Sequence, residues 1–517
     1  MKKAIILLIV CVITISAKAQ WTDDASMNTI LAVGETQSGE VIVSTDPNSD
    51  NTYVQWLVGE MNGWSPTLQC LDYYGNPQWG EAGIHPNYYQ LGTWSQGMAM
   101  TATTDGAVVT CFATGEGMSA ALKINADGTY AWGEDGAELL GDSRTEVLAG
   151  DDGGVWTLTS DINNTYVCYI EANGITNPTI TISSGDQNHC SFGQMVATTD
   201  GVFVVYEKEH WAYTYYYEKE IWVAGFNKYG EAITTPTRLM NAVTMVGAYC
   251  HYVVPDGLGG GYAYIWHPSF GDSFNVYVFH FNANGESTIE DPYGIAVHWN
   301  DPNNFYLNAD ATVDPTNHDL IITYRQTDAL SQSQAKIYVN RITPTGERVW
   351  GDGKLVLDNG TTFCSDLLID IFEDGQGFSI IYNRGAANST YYSIIDAKGF
   401  DIEGNELWTT NMSSQASPKS MSEKSTGYHN GQNIVAWADN HNGYVYGQNI
   451  GQNGELGKVT PTSVPENTQE EIVKVTEIFN INGQHTNTLN ISELNQGIYI
   501  IKGVTEGGKT VIRKIVR

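Results

Sequence analysis

Apolar and polar residues alternate through most of this chain. Short runs in which every second residue is apolar recur between about residues 30 and 450, each closed by turn residues. No three-and-four apolar spacing persists long enough to form a helix. One phrase returns eight times: an alternating run that ends in a turn glycine, at Gly75, Gly128, Gly174, Gly230, Gly285, Gly346, Gly404 and Gly454. An apolar residue stands four places before each, namely Leu71, Ile124, Ile170, Phe226, Phe281, Ile342, Phe400 and Ile450. This is a hairpin signature. Upstream of most copies lies a second phrase of turn residues followed by an alternating strand, as in DGAVVTCFA (105–113), DGGVWTLTS (152–160) and GQGFSIIYN (375–383).

Successive turn glycines are 46 to 61 residues apart. About four short antiparallel strands per unit at that spacing predicts a β-propeller blade. The fold class expected is all-β: a propeller over 20–457 with about eight four-stranded blades. Seven remains open, because the first unit (about 27–90) is long and irregular. A β-solenoid or two stacked sandwiches are the alternatives. In several units a tryptophan follows the turn glycine by four residues (Trp79, Trp132, Trp350, Trp408), and further glycines follow it. The glycine is read as supplying a positive φ. The tryptophan is placed on the outgoing strand between neighbouring sheets, and the later glycines are taken to turn the chain toward the next blade.

The two ends differ from this pattern. Residues 1–19 combine Lys2 and Lys3, an apolar run and an Ala17-Lys18-Ala19 signal. They predict a secretory signal peptide cleaved after Ala19, with export through the periplasm. The apolar run is too short to span a bilayer, so no transmembrane helix is expected in the mature chain. Residues 458–471 (KVTPTSVPENTQEE) read as a linker, and 472–517 as a separate small domain.

Composition sharpens the picture. Charged residues are only 16% of the chain, and the formal net charge is −33. Leader lysines and a neutral tail leave the acid excess in the repeats. Such a surface repels nucleic acid and anionic membranes and suits cations, basic proteins or neutral glycans. Once the leader is removed, six cysteines remain without paired spacing. They read as buried free thiols, with a Cys168–Cys190 bridge as the exception allowed.

Candidate chemistry is sparse. No nucleophile elbow, zincin motif or phosphate loop is present. GMSAA (117–121) lacks the elbow's second glycine. Two acids across the channel could form a glycosidase pair, but the sequence does not choose them. Asp46, Asn48 and Asp50 have the alternate spacing of a calcium loop without its glycine and distant glutamate. An Asx-rich turn is the plainer reading, and Ca²⁺ is the one cofactor that the spacing admits. His251, His267, His280 and His298 are candidates to cluster near one face, or else to be structural. HWAYTYYYEKEIW (210–222) stands out. Trp211, Tyr213, Tyr215, Tyr216 and Tyr217 are too many aromatics for one buried strand, because alternate residues face opposite ways. They are candidates to bind an extracellular glycan or protein.

The tail carries a resemblance. VTEIFNINGQ (475–484), LNQGIYIIK (494–502) and KTVIRKIVR (509–517) resemble the C-terminal sorting domain of type IX secretion cargo in Bacteroidetes, with Gly483, Gly497, Tyr499 and Lys514 in the matching motifs. The family's usual leading strands, with their Asn-Pro, are missing here. The resemblance implies a small β-sandwich, handling by the type IX secretion machinery, and a secreted or outer-surface protein. Function is therefore expected to be non-enzymatic binding, with a polysaccharide hydrolase or lyase, or a passive surface protein, as alternatives.

Overall fold

A computed structural model gives the architecture. It describes residues 21–457 apart from short internal stretches, of which the longest are 87–97, 184–192, 329–334 and 386–391; in the tail it describes 472–480, 486, 498–505 and 510–516. The chain divides into two compact units, Met1–Val459 and Thr460–Arg517.

The first unit is an eight-bladed propeller. Blade 1 holds Thr36–Thr45, Thr52–Glu60 and Gly63–Leu71, with an isolated Leu68–Ile84 bridge at the fourth position. Blades 2 to 7 each have four antiparallel strands in chain order, with inner strands Met98–Ala102, Arg144–Ala149, Gly193–Ala197, Tyr252–Pro255, Asn304–Val313 and Cys364–Ile371. Blade 8 holds Lys419–Met421, Gln432–Asp439 and Tyr444–Gly451, and its outer strand is the N-terminal Thr29–Ala32. Thr29 lies opposite Gly447 and Ile30 opposite Tyr446. The first unit looks irregular in sequence because its opening strand belongs to the last blade.

Each blade has two apolar faces, and every gap between blades is filled. Leu31, Val41, Val54, Ile434 and Val445 join blade 8 to blade 1. Phe203, Val205, Ile221, Ile265 and Phe279 join blade 4 to blade 5. The other gaps hold similar clusters. Burying each large side chain of this kind is worth about 1.5–3 kcal/mol, which favours a closed ring over an open array.

The recurrent glycine and tryptophan form one joint. All eight turn glycines have φ between 74° and 90°. Trp79 of blade 1 reaches the turn of blade 2, and its Nε1 donates to the Ala126 carbonyl at 2.9 Å. Trp132 does the same to Ala172 of blade 3 (2.9 Å) and Trp408 to Gln452 of blade 8 (2.7 Å). The acceptor is always two residues before the next blade's turn glycine. A Cβ on Gly174 would sit 2.9 Å from the Trp132 ring, and one on Gly454 2.7 Å from Trp408. Blade 8 has no tryptophan after Gly454. Trp21 supplies it from the N-terminal segment, donating to the Tyr73 carbonyl at 3.0 Å and covering Gly75. The glycine is therefore required twice, for its φ and for the indole above it. The later glycines do not lead to the next blade as expected. Gly133 and Gly136 lead into Ala137–Leu140, and Gly351 and Gly353 into Lys354–Asp358, the outer strands of their own blades.

In the second unit Ile472–Asn480, Ile498–Thr505 and Thr510–Val516 form a three-stranded antiparallel sheet. Among the described residues no helix is long and apolar enough to cross a membrane.

Candidate functional site

The inner strands of blades 3, 6 and 7 each place a carboxylate against the neighbouring blade. Glu146 Oε2 accepts the Met195 N–H of blade 4 at 2.8 Å. Asp310 Oδ2 accepts the Ile369 N–H of blade 7 at 2.8 Å. Asp370 Oδ2 accepts the Asn433 amide of blade 8 at 2.8 Å and the Ser425 hydroxyl. Asp310 follows a bulge in its strand, where the register shifts between Leu307 and Asp310 and Asn308 has φ 46°; such a bulge re-aims the side chain that follows it. Burial pushes the Glu146 and Asp310 carboxyls up to about 7, and Asp370 adds to the rise at Asp310. Burial also raises Asp370. Lys424, which follows the inner strand of blade 8, pulls Glu146 and Asp310 back toward ionisation. Carboxyls that titrate near neutrality can clasp blades, and they can also exchange protons with a bound substrate. The sequence marks them only as acids within inner strands of mixed polarity.

Blade 4 departs from the other blades. Its central strands, Val202–Tyr213 and Tyr216–Phe226, are the longest such hairpin among the described residues. Among the described residues the inner strand pairs as far as Tyr206, which lies opposite Gly193. Beyond it, residues 207–213 run on for roughly 20 Å at about 3.3 Å per residue, paired to the third strand, which is itself paired to Thr237–Val246. The HWAYTYYYEKEIW stretch is thus the hairpin itself rather than a connection between strands. Trp211 lies opposite Tyr217 and Tyr213 opposite Tyr216. Tyr215 lies outside the described residues, and of the other four only the backbone is described.

The base of this extension holds a buried ion cluster. Lys219 Nζ lies 3.0 Å from Glu207 Oε2 and 2.5 Å from Glu209 Oε1. Glu207 Oε1 accepts both the backbone N–H (3.0 Å) and Nδ1 (2.8 Å) of His251, at the entry to blade 5. The other ring nitrogen of His251 faces the Val205 carbonyl at 3.0 Å. Burial alone would raise the Glu207 carboxyl, but Lys219 and His251 outweigh it and hold it at about 2. Burial opposes the Lys219 charge, and the two carboxylates raise it nonetheless. Buried charges are tolerated when paired in this way. Here they fix the extension to the neighbouring blade.

The remaining candidates are dispersed. Asp46 accepts the Asn48 N–H (2.9 Å) and the Ser49 hydroxyl (2.6 Å), and Asp50 accepts the Asn430 amide of blade 8 (2.8 Å). This is an Asx turn tied to adjacent blades. Among the described residues no group of three His, Cys, Asp or Glu side chains could hold a metal ion. The four histidines do not converge. His251 serves Glu207, and His280 lies 3.1 Å from Asp256. His267 stacks on Tyr277 and His298 on Tyr306. Among the described residues Cys70, Cys111, Cys168 and Cys364 are buried free thiols; Cys190, the partner allowed for Cys168, lies outside them. Ala19, Gly483 and Gly497 lie outside the described residues; Tyr499 pairs with Asn480 and Ile515, and Lys514 with Ile500.

Residues 466–517 match the secretion system C-terminal sorting domain, Por_Secre_tail, and are such a domain. No curated protein matches the chain. An ulvan lyase bound to -[GlcA(1-4)Rha3S]- is similar at 9% identity and TM-score 0.48, over 85% of this chain and 98% of that one. The β-propeller domain of the Trilobed protease from Pyrococcus furiosus is similar at 10% identity and TM-score 0.41, over 74% and 99%. The WD40 domain of SCAP from fission yeast is similar at 9% identity and TM-score 0.42, over 83% and 98%. The sorting domain marks an exported protein handled by type IX secretion.

Proposed function

We propose that this is a secreted or cell-surface binding protein of the Bacteroidetes type. Its leader takes it to the periplasm, its tail takes it across the outer membrane, and its propeller holds an extracellular glycan or protein. The observation that carries this reading is the blade 4 extension. A hairpin rich in Trp and Tyr continues past the described inner strand and is fastened at its base by the buried Glu207, Glu209 and Lys219, with His251 bonded to Glu207. A hairpin backbone fastened at its base lowers the ordering cost of recognition. The test is a glycan array and a pull-down with the mature chain, repeated with residues 209–218 replaced by a two-residue turn. Ligand retained by the wild type and lost by the shortened hairpin supports the proposal; equal retention by both sinks it.

A second reading, a polysaccharide hydrolase or lyase, is favoured by Glu146 and Asp310, whose carboxyls are held near neutrality. It requires turnover of a polysaccharide that Asp310→Asn abolishes without unfolding the propeller.

A further inference from the structure

A second aromatic feature lies away from the blade 4 hairpin, in the connection from blade 5 to blade 6. Trp299 is 65% exposed, the one exposed tryptophan among the residues whose side chains are described. It falls outside the glycine-plus-four repeat. The backbone around it is firmly held. Asn275 donates to the His298 carbonyl (2.9 Å) and to Asn300 Oδ1 (2.7 Å). Asn340 donates to the Val297 carbonyl at 2.7 Å. The His298 ring stacks on Tyr306 with centroids 4.4 Å apart. A large apolar ring is thus presented to water by a fixed loop, when a modest shift of a loose loop could have covered it.

Two polar groups border that ring. The Arg348 guanidinium lies over one face of the indole, 4.1 Å from its centroid. Arg348 Nη1 donates to the Ala296 carbonyl at 3.3 Å, and no carboxylate lies within ion-pair distance of it among the described residues. On the backbone side, Asp352 Oδ1 accepts the Trp299 N–H at 3.3 Å, and the Asp352 side chain is otherwise exposed. The indole face opposite Arg348, a guanidinium with spare donors and a carboxylate with spare acceptors match the apolar and polar sides of a sugar. The apolar C–H face stacks on the ring, and adjacent hydroxyls take a donor and an acceptor. Charge decides which sugar. Arg348 is locally offset by Asp352, and the chain carries −33 overall, so a uronate or sulfated polymer is repelled.

We propose that Trp299, Arg348 and Asp352 form a subsite for a neutral hexose or pentose unit of an extracellular glycan. The inference rests on the reading of the propeller as a binding protein and gives that reading a ligand class. The test is calorimetric titration of the mature chain with neutral hexasaccharides (cello-, laminari-, manno- and xylohexaose) and with tetragalacturonate as the acidic probe. The wild type is expected to bind at least one neutral oligosaccharide, with affinity nearly unchanged between 50 and 300 mM salt, as expected where no net charge is paired. Trp299→Ala should weaken binding at least tenfold, Arg348→Ala and Asp352→Asn by several-fold each, and all three should keep the wild-type melting temperature within a few degrees. Wild-type affinity in Trp299→Ala, or binding of tetragalacturonate alone, overturns the subsite. If the wild type captures a protein partner but none of these sugars, the subsite falls and the binding reading stands. If Trp299→Ala lowers the melting temperature sharply, Trp299→Phe provides the decision: it keeps a ring, so retained folding with wild-type affinity in Arg348→Ala and Asp352→Asn also overturns the proposal.

Discussion

Gly174 and Gly230 occupy the same turn of adjacent blades with nearly the same φ, 87° and 85°. They differ in what lies above them. A Cβ on Gly174 would sit 2.9 Å from Cγ and Cδ1 of Trp132, whereas on Gly230 the nearest atom is the Pro178 carbonyl oxygen at 3.4 Å. Gly230→Ala should therefore lose only the conformational term, about 1–2 kcal/mol for a non-glycine residue in the left-handed region. Gly174→Ala loses that and must also push the indole off its seat. Displacement strains the 2.9 Å bond from Trp132 Nε1 to the Ala172 carbonyl, worth about 1 kcal/mol, and part of the ring's packing. Its total should be about 3 kcal/mol. In a Trp132→Ala background the clash is gone, and Gly174→Ala should fall back to the Gly230→Ala value. Urea unfolding of the four variants and wild type reads these differences as a double-mutant cycle. Equal losses for the two glycine variants, or an additive cycle, would refute the glycine–tryptophan joint as the reason for the repeat.

Three further outcomes are expected. Because burial holds Glu146 and Asp310 near 7, the folded protein keeps protons that unfolded carboxyls release near 4.5 and 3.8; stability should fall as pH rises from about 4 through 7, by roughly 2 kcal/mol or more per group, and Glu146→Gln with Asp310→Asn should flatten that slope in melting curves. Glu207 acts in the opposite sense: its contribution is complete above 4.5 and lost as pH falls toward 2, and Lys219→Met, which leaves buried carboxylates unpaired, should cost about 3–5 kcal/mol by urea titration. Deleting residues 460–517 should leave the propeller's melting temperature unchanged and retain the protein in the periplasm by cell fractionation; normal surface delivery would contradict the role given to the tail.

The repeat was legible because it is periodic. Alternation and the turn glycines mark the eight blades, and the tail motifs mark the sorting domain. What periodicity cannot show is which unit a strand joins. Thr29–Ala32 reads as the start of unit one and pairs with blade 8, a contact between residues about 415 positions apart, and Trp21 completes the joint around Gly75 from the same segment. Site chemistry was harder to read for a related reason. Glu146, Asp310 and Asp370 are ordinary acids in sequence, and only the packing of consecutive blades places each against the next. Glu207 and Lys219 lie close in the chain, but their partner His251 comes from the following blade. The aromatic stretch 210–222 was visible by composition, whereas Trp299 is isolated in sequence and acquires its setting from Arg348 and Asp352 of blade 6.

The central claim is that the blade 4 hairpin recognises a ligand, and changing Trp211 and Tyr215 together to Ala tests it most directly. Thermal unfolding and ligand titration are to be measured on the same variant. If the hairpin tip is a recognition surface, stability should change by under about 0.5 kcal/mol, while binding of the ligand captured by the wild type should weaken by about 2 kcal/mol or more, some thirtyfold. A stability loss of several kcal/mol, as for large-to-small core changes, or an unaltered affinity, would contradict it.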